Sequence, residues 1–235
     1  MPPDPFNGTS EHCGTSALVH HGRMKHAFVV LVLLLATRAH AQQLDQLEGR
    51  NVTLSSVMYS GRQAVRVDAT DAPNGESVAV VKGMTFHDGA IAVEVAGKPG
   101  ANAGPAARGF IGIAFRLQSG RYEHFYLRPT NGRADDQVRR NHSTQYTSHP
   151  DYDFARLRKE SPEKYESYVD LEPGVWTKMR IEVRGTTARL FVHDAPQPCL
   201  IVNDLKLGDS TGGIALVVGP GTEGYFSGLV VTPAR

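Results

Sequence analysis

Between residues 139 and 152 the chain gathers Arg139, Arg140, Asn141, His142, Gln145, Tyr146, His149 and Tyr152. Guanidinium forks grip carboxylates through paired hydrogen bonds, amides and imidazoles reach hydroxyls, and aromatic rings cover apolar faces. Such a set suits a sugar-like ligand, neutral or acidic. It does not suit a metal ion: His142 and His149 match no zinc-ligand spacing and no cysteine lies near them. A second candidate set lies upstream. If Ser119-Gly120 is a two-residue turn, Arg116 faces Glu123 across a hairpin, because strand side chains alternate with period two. Ile111, Ile113, Phe115 and Leu117 then form a core stripe. Gly112, Ala114, Arg116, Glu123, Phe125 and Leu127 form the opposite face, a low floor with room for a ligand. The same register sends His124 and Arg128 to the core side, where each would need a polar partner, a conflict that a β-bulge would relieve.

Two other patterns look like chemistry and are not. Gly208-Asp209-Ser210-Thr211-Gly212 fits a nucleophile elbow, but that motif needs a helix after the serine, and GGIALVV is strand-like. Gly219-Pro220-Gly221-Thr222-Glu223-Gly224 fits a dinucleotide fingerprint without the helix that would present its N-terminus to a phosphate. Both read as turns. Glycoside hydrolysis needs two carboxylates flanking the scissile bond. The nearest pairing, Asp170-Leu171-Glu172, runs into Pro173-Gly174, which marks a turn.

The scaffold for these groups is a series of short apolar runs separated by Asp88-Gly89, Ser119-Gly120, Arg184-Gly185 and Gly212-Gly213. This regular spacing, with almost no helical periodicity, predicts an all-β sandwich or jelly roll. One long insertion follows the Tyr122–Arg128 strand, with a helical turn expected over Asp153–Lys164. Its tyrosines and Phe154 argue against disorder, and long ordered insertions tend to carry function. Gly97–Ala107 reads as a loop within the domain.

Met24–Ala41 has the layout of an export signal: Lys25, an apolar run over Ala27–Ala36, and Ala39-His40-Ala41 as a cleavage site. The apolar run is well short of the ~20 residues a membrane span requires. A mature chain starting at Gln42 and a single domain over 42–235 are expected, with residues 1–23 as an upstream extension. Cys13 precedes the signal, so Cys199 alone would remain and no internal disulfide could form. A formal net charge of +1 gives no electrostatic footprint for nucleic acid.

Gly83–Gly97, Gly109–Arg116, Tyr122–Pro129, Trp176–Val192 and Tyr225–Val231 resemble segments of the concanavalin A-like lectin/glucanase superfamily. Within it the chain is most similar to exported bacterial laminin-G-like domains and 3-keto-disaccharide hydrolase domains. The resemblance implies a two-sheet antiparallel jelly roll with Arg116 and Tyr122-Glu123 on its concave sheet. Phe125 replaces a glutamine common in the hydrolases, and Gly109-Phe110-Ile111-Gly112 replaces their asparagine-serine-glycine start, departures that favour binding over turnover. The expectation is an exported, periplasmic or extracellular carbohydrate-binding domain without a cofactor. Arg116, Glu123, Arg128, Arg139, Arg140, Asn141, His142, Tyr146 and His149 are its ligand-binding candidates. The alternatives are a glycoside hydrolase of unusual disaccharides, with Glu123 as its acid/base, and a laminin-G-like interaction module.

Overall fold

A computed structural model describes residues 44–70 and 77–234. The expected export signal and the stretch before it lie outside the described residues. In chain order the strands are β1 (Leu47–Arg50), β2 (Val52–Tyr59), β3 (Arg62–Ala69), β4 (Val78–Val81), β5 (Gly89–Pro99), β6 (Ile111–Gln118) and β7 (Arg121–Leu127). Then come helix α1 (Gln137–Asn141), β8 (Thr144–His149), helix α2 (Phe154–Glu160) and β9 (Glu166–Ser167). The last five strands are β10 (Thr177–Arg184), β11 (Thr187–Val192), β12 (Leu200–Val202), β13 (Gly213–Val218) and β14 (Thr222–Pro233). They form two antiparallel seven-stranded sheets, ordered β1-β4-β13-β6-β7-β8-β9 and β12-β11-β10-β5-β14-β3-β2. This is the two-sheet jelly-roll architecture expected from the strand spacing. Among the described residues no helix is long and apolar enough to cross a membrane.

The inner faces meet through Ile111, Ile113 and Phe115 of β6, Phe125 and Leu127 of β7, and Ile214 and Leu216 of β13. They pack with Ile91, Val93 and Val95 of β5 and Met179 and Ile181 of β10. The β6–β7 pairing corrects the simple hairpin register. Phe115 pairs with Glu123 and Gln118 with Arg121, so Arg116 and Leu117 together oppose Tyr122 alone. On its other side β6 pairs Phe115 with Ile214 and Leu117 with Gly213, so Arg116 is the extra residue there too. It is a β-bulge, with Arg116 at φ +56°.

Energetics explain why this register wins. Burying Phe125 and Leu127 in place of His124 and Arg128 stabilises the sandwich by about 3–6 kcal/mol, at roughly 1.5–3 per large apolar side chain, and spares the core an unpaired guanidinium. Its cost is that Glu123 faces inward with Phe125 and Leu127, not outward as the unbulged register has it. Leu117 leaves the core stripe and joins Ala114 and Tyr122 in a separate cluster. By the β7–β8 pairing, His124 and Tyr126 share the outer face with Gln145, Thr147 and His149.

The insertion is more regular than its sequence suggests. TQYTSH, without any apolar alternation, forms β8 and extends the β6–β7 sheet. Asp136 caps α1 by accepting from the Arg139 amide at 2.9 Å, and Asp153 caps α2 through the Arg156 amide at 2.7 Å. The expected helical turn therefore occupies the first part of Asp153–Lys164. Leu157 and Tyr165 sink into the core and fasten the insertion to the sandwich. Gly132 packs against the far strap of the insertion so closely that a Cβ there would lie 2.3 Å from the Leu171 nitrogen.

Candidate functional site

Three of the candidate side chains lie inside the molecule. Glu123, wholly enclosed, accepts from the Tyr146 hydroxyl at 2.6 Å and the Leu207 amide at 2.8 Å. The Tyr146 oxygen accepts in turn from the Lys206 amide at 2.9 Å. The pair is a polar latch holding the 203–208 loop, so its geometry corrects the placement of Glu123 on a ligand floor. Burial raises the Glu123 carboxyl above its ordinary range against the pull of these donors, and raises the Tyr146 hydroxyl as well.

Arg116 is likewise without exposed surface. Its Nε donates to the His87 carbonyl at 3.1 Å, Nη1 to the Gly208 carbonyl at 2.8 Å and Nη2 to Asp88 Oδ1 at 3.0 Å. The bulge aims this side chain at the two loops closing that end of the sheet, so Arg116 is a brace and not a floor residue. His87, Asp88 and Asp209 bring metal-type ligands together here. The Arg116 guanidinium already sits 3.0 Å from Asp88 and 3.6 Å from Asp209, supplying the positive charge an ion would bring.

At the other end of β6 a cavity of about 400 Å³ opens on the outer side. Arg108 and Phe110 reach it from the approach to β6, Arg128 from the end of β7, Arg139 from α1, His142 from the C-cap of α1, and Phe154 and Arg158 from α2. Arg128, Arg139 and His142, three of the candidates named from the sequence, thus line one cavity. Arg140 turns aside to donate to the Tyr168 hydroxyl at 3.0 Å, and the exposed Asn141 accepts from Gln137. His149 stacks on Tyr122 with ring centroids 4.9 Å apart, in a neighbouring depression.

Glu166, on β9, is the electrostatic anchor of the cavity wall. Its carboxylate meets Arg128 at 3.2 Å, His142 Nε2 at 3.5 Å and the Arg158 guanidinium. Burial works against its ionisation, but Arg158, His142 and Arg128 outweigh it and hold Glu166 below the usual carboxylate range. Arg128 is further fixed by the Tyr126 hydroxyl at 3.0 Å, Gln145 Oε1 at 2.9 Å and the His142 carbonyl at 2.9 Å. Burial lowers the His142 imidazole, so it is neutral at neutral pH.

An apolar trough of about 230 Å³ adjoins the cavity and shares Phe110 and Phe154 with it. Its floor is His124 and Tyr126, stacked at 4.9 Å, and Phe110 meets Tyr126 edge-on at 6.0 Å. The floor stays low because Gly112, paired with Tyr126, has no room for a side chain: a Cβ would lie 2.1 Å from the Phe125 carbonyl oxygen. His124 Nε2 is enclosed with no hydrogen-bond partner, and burial, then the proximity of His149, pushes its imidazole down to about 3. It is a neutral ring at physiological pH. Sequence reasoning passed over Arg108, Phe110, His124, Tyr126, Phe154 and Arg158. The conflict over His124 and Arg128 in the unbulged register was the signal that could have exposed two faces of this site.

No protein-family model matches the chain, and no curated protein matches it in sequence. Its fold does match solved structures. A carbohydrate-binding module, CBM66 from Bacillus subtilis, superposes with a TM-score of 0.55 at 10% identity, over 78% of this chain and 93% of the module. A candidate glycosyl hydrolase from Parabacteroides distasonis gives 0.51 at 9% identity, over 82% and 96%. A Bacillus subtilis protein of unknown function with a galectin-like fold gives 0.50 at 9% identity, over 80% and 89%. These likenesses and the sheet order identify the fold as a two-sheet antiparallel jelly-roll β-sandwich.

Proposed function

We propose that this chain is an exported carbohydrate-binding domain that holds a glycan along the trough and cavity on the outer side of the β6–β7 sheet. The observation that carries the reading is the continuity of the two: Phe110 and Phe154 line both, so an aromatic trough runs directly into a guanidinium-lined cavity. Sugar rings present apolar faces that stack on aromatics and hydroxyls that satisfy planar donors. The CBM66 module of the same fold is a carbohydrate-binding module, which is consistent with this use of the scaffold. Hydrolysis is the weaker reading, since it calls for a paired acid and base at the bond to be cut. Glu123 is enclosed, Glu166 is committed to three cationic or imidazole partners, and Asp136 serves as the α1 cap.

Affinity electrophoresis of the chain beginning at Gln42, through gels containing individual polysaccharides, tests the proposal. At least one polysaccharide should retard the protein, and Phe110→Ala should weaken that retardation about tenfold or more, as loss of a central aromatic anchor does. Binding that survives both Phe110→Ala and Tyr126→Ala would place the glycan elsewhere. Reducing-sugar release accompanying binding would restore the hydrolase.

A further inference from the structure

Four guanidinium groups line the cavity, and they are not equivalent. Arg128 and Arg158 are paired with Glu166. Arg108 and Arg139 make no ion pair with a carboxylate among the described residues. Arg108 Nη1 donates only to the carbonyls of Pro105, at 2.6 Å, and Ala107, at 2.9 Å. Arg139 donates to Asn131 Oδ1 at 2.9 Å and to Thr130. Neutral acceptors orient both forks without cancelling their charge. Burial and then repulsion by Arg139 and Arg128 lower the Arg108 pKa, so the cavity carries unspent positive potential. Asp136, the one acid lining it, accepts from the Arg139 amide and keeps its charge, but against four guanidiniums it leaves the lining cationic. Beside the cavity lies His124, its buried Nε2 unpartnered and its ring forming the trough floor.

The geometry points to an anionic sugar as the ligand: a carboxylate- or sulfate-bearing residue seated between Arg108 and Arg139, with the neighbouring sugar stacked in the trough. The inference rests on the carbohydrate-binding reading and names the chemical class that reading leaves open. Two pre-oriented forks without a counter-anion favour an oxyanion, because charge-assisted hydrogen bonds are about twice as strong as neutral ones. A neutral glycan would leave both charges desolvated and unanswered, which is costly in a half-enclosed cavity.

Matched pairs of polymers test it: polygalacturonate against its fully methyl-esterified form, and dextran sulfate against dextran. The acidic member of at least one pair should bind at least about tenfold more tightly than its neutral twin, and the pair that responds tells carboxylate from sulfate ester. Arg108→Gln and Arg139→Gln should each cost about tenfold or more, the scale of one lost charge-assisted bond. Arg139→Lys should recover part of that loss, and Arg189→Gln, an equal change of charge on β11, should have no effect. Thermal unfolding checks that each variant is folded. Neutral twins binding as tightly as acidic ones, indifferent to both glutamine variants, would overturn the anionic ligand and leave the carbohydrate reading standing. If no polymer binds but inorganic sulfate, titrated by NMR, saturates the wild type and not Arg139→Gln, the anion cavity stands and the carbohydrate reading falls. Failure of sulfate and all four polymers would overturn both.

Discussion

Replacing Arg116 with alanine should weaken the fold and leave ligand affinity alone. Its guanidinium is fully enclosed and satisfies two backbone carbonyls and Asp88. Removing it orphans the His87 and Gly208 carbonyls. Asp88 suffers less, for it still accepts from the Gly185 amide at 2.9 Å and is partly exposed. Hydrogen bonds to charged groups contribute about 1.5–3 kcal/mol each, and breaking one side of a buried pair typically costs about 3–5, so the expected loss is roughly 3–5 kcal/mol. In a domain of this size that lowers Tm by about 10 °C. A second variant separates backbone from side chain. Arg116 sits at φ +56°, where non-glycine residues carry roughly 1–2 kcal/mol of strain, so Arg116→Gly should be about 1 kcal/mol less destabilising than Arg116→Ala. Urea denaturation measures both. A loss below about 1 kcal/mol for alanine, with glycine no better, would refute the brace; so would a fully folded Arg116→Ala that failed to bind a polysaccharide retained by the wild type.

Two further outcomes follow from buried titrating groups. Burial raises the Glu123 carboxyl in the folded state, so its contribution to stability is fully present below the unfolded carboxylate range and is lost as pH rises through the raised folded value. Wild type should therefore lose stability relative to Glu123→Gln between about pH 4 and its native pKa, with the difference flat beyond, in denaturant titrations at stepped pH. Cys199 is the one free cysteine among the described residues, and burial pushes its thiol up to about 12. A maleimide should label it roughly a thousandfold more slowly in the native protein than in urea, and reductant should leave Tm unchanged; a reductant-induced drop would reveal an intermolecular bridge.

The strand pattern was legible because apolar runs bounded by Gly and Asp carry their own punctuation, and the sandwich follows from it. Arg139 and His142 were legible as candidates because they fall in one short run of polar and aromatic residues, although the helix that carries Arg139 was not expected. The face assignment of Glu123, Phe125 and Leu127 failed at a single residue: period-two counting assumes an unbroken ladder, and the bulge at Arg116 reverses every side chain beyond it. β8 was hidden because TQYTSH carries no apolar alternation: of its inward residues Thr144, Tyr146 and Ser148, only Tyr146 joins the core, while Thr144 donates to the Ser167 carbonyl. Arg108, Phe110, Phe154 and Arg158 come from segments distant in sequence that only the closed sandwich brings together, and no local pattern encodes that meeting.

The division of labour among the cavity arginines has an evolutionary consequence. Arg128, Arg158 and His142 interlock through Glu166, so a change at any of them disturbs the end of β7, α2 and α1 together. Arg108 and Arg139 hang from this frame by neutral acceptors alone. Selection can replace either without dismantling the wall, much as a lock is re-keyed by exchanging pins within a fixed barrel. Drift in ligand preference among descendants of this chain should therefore run through positions 108 and 139 while Glu166 and its three partners change together or not at all.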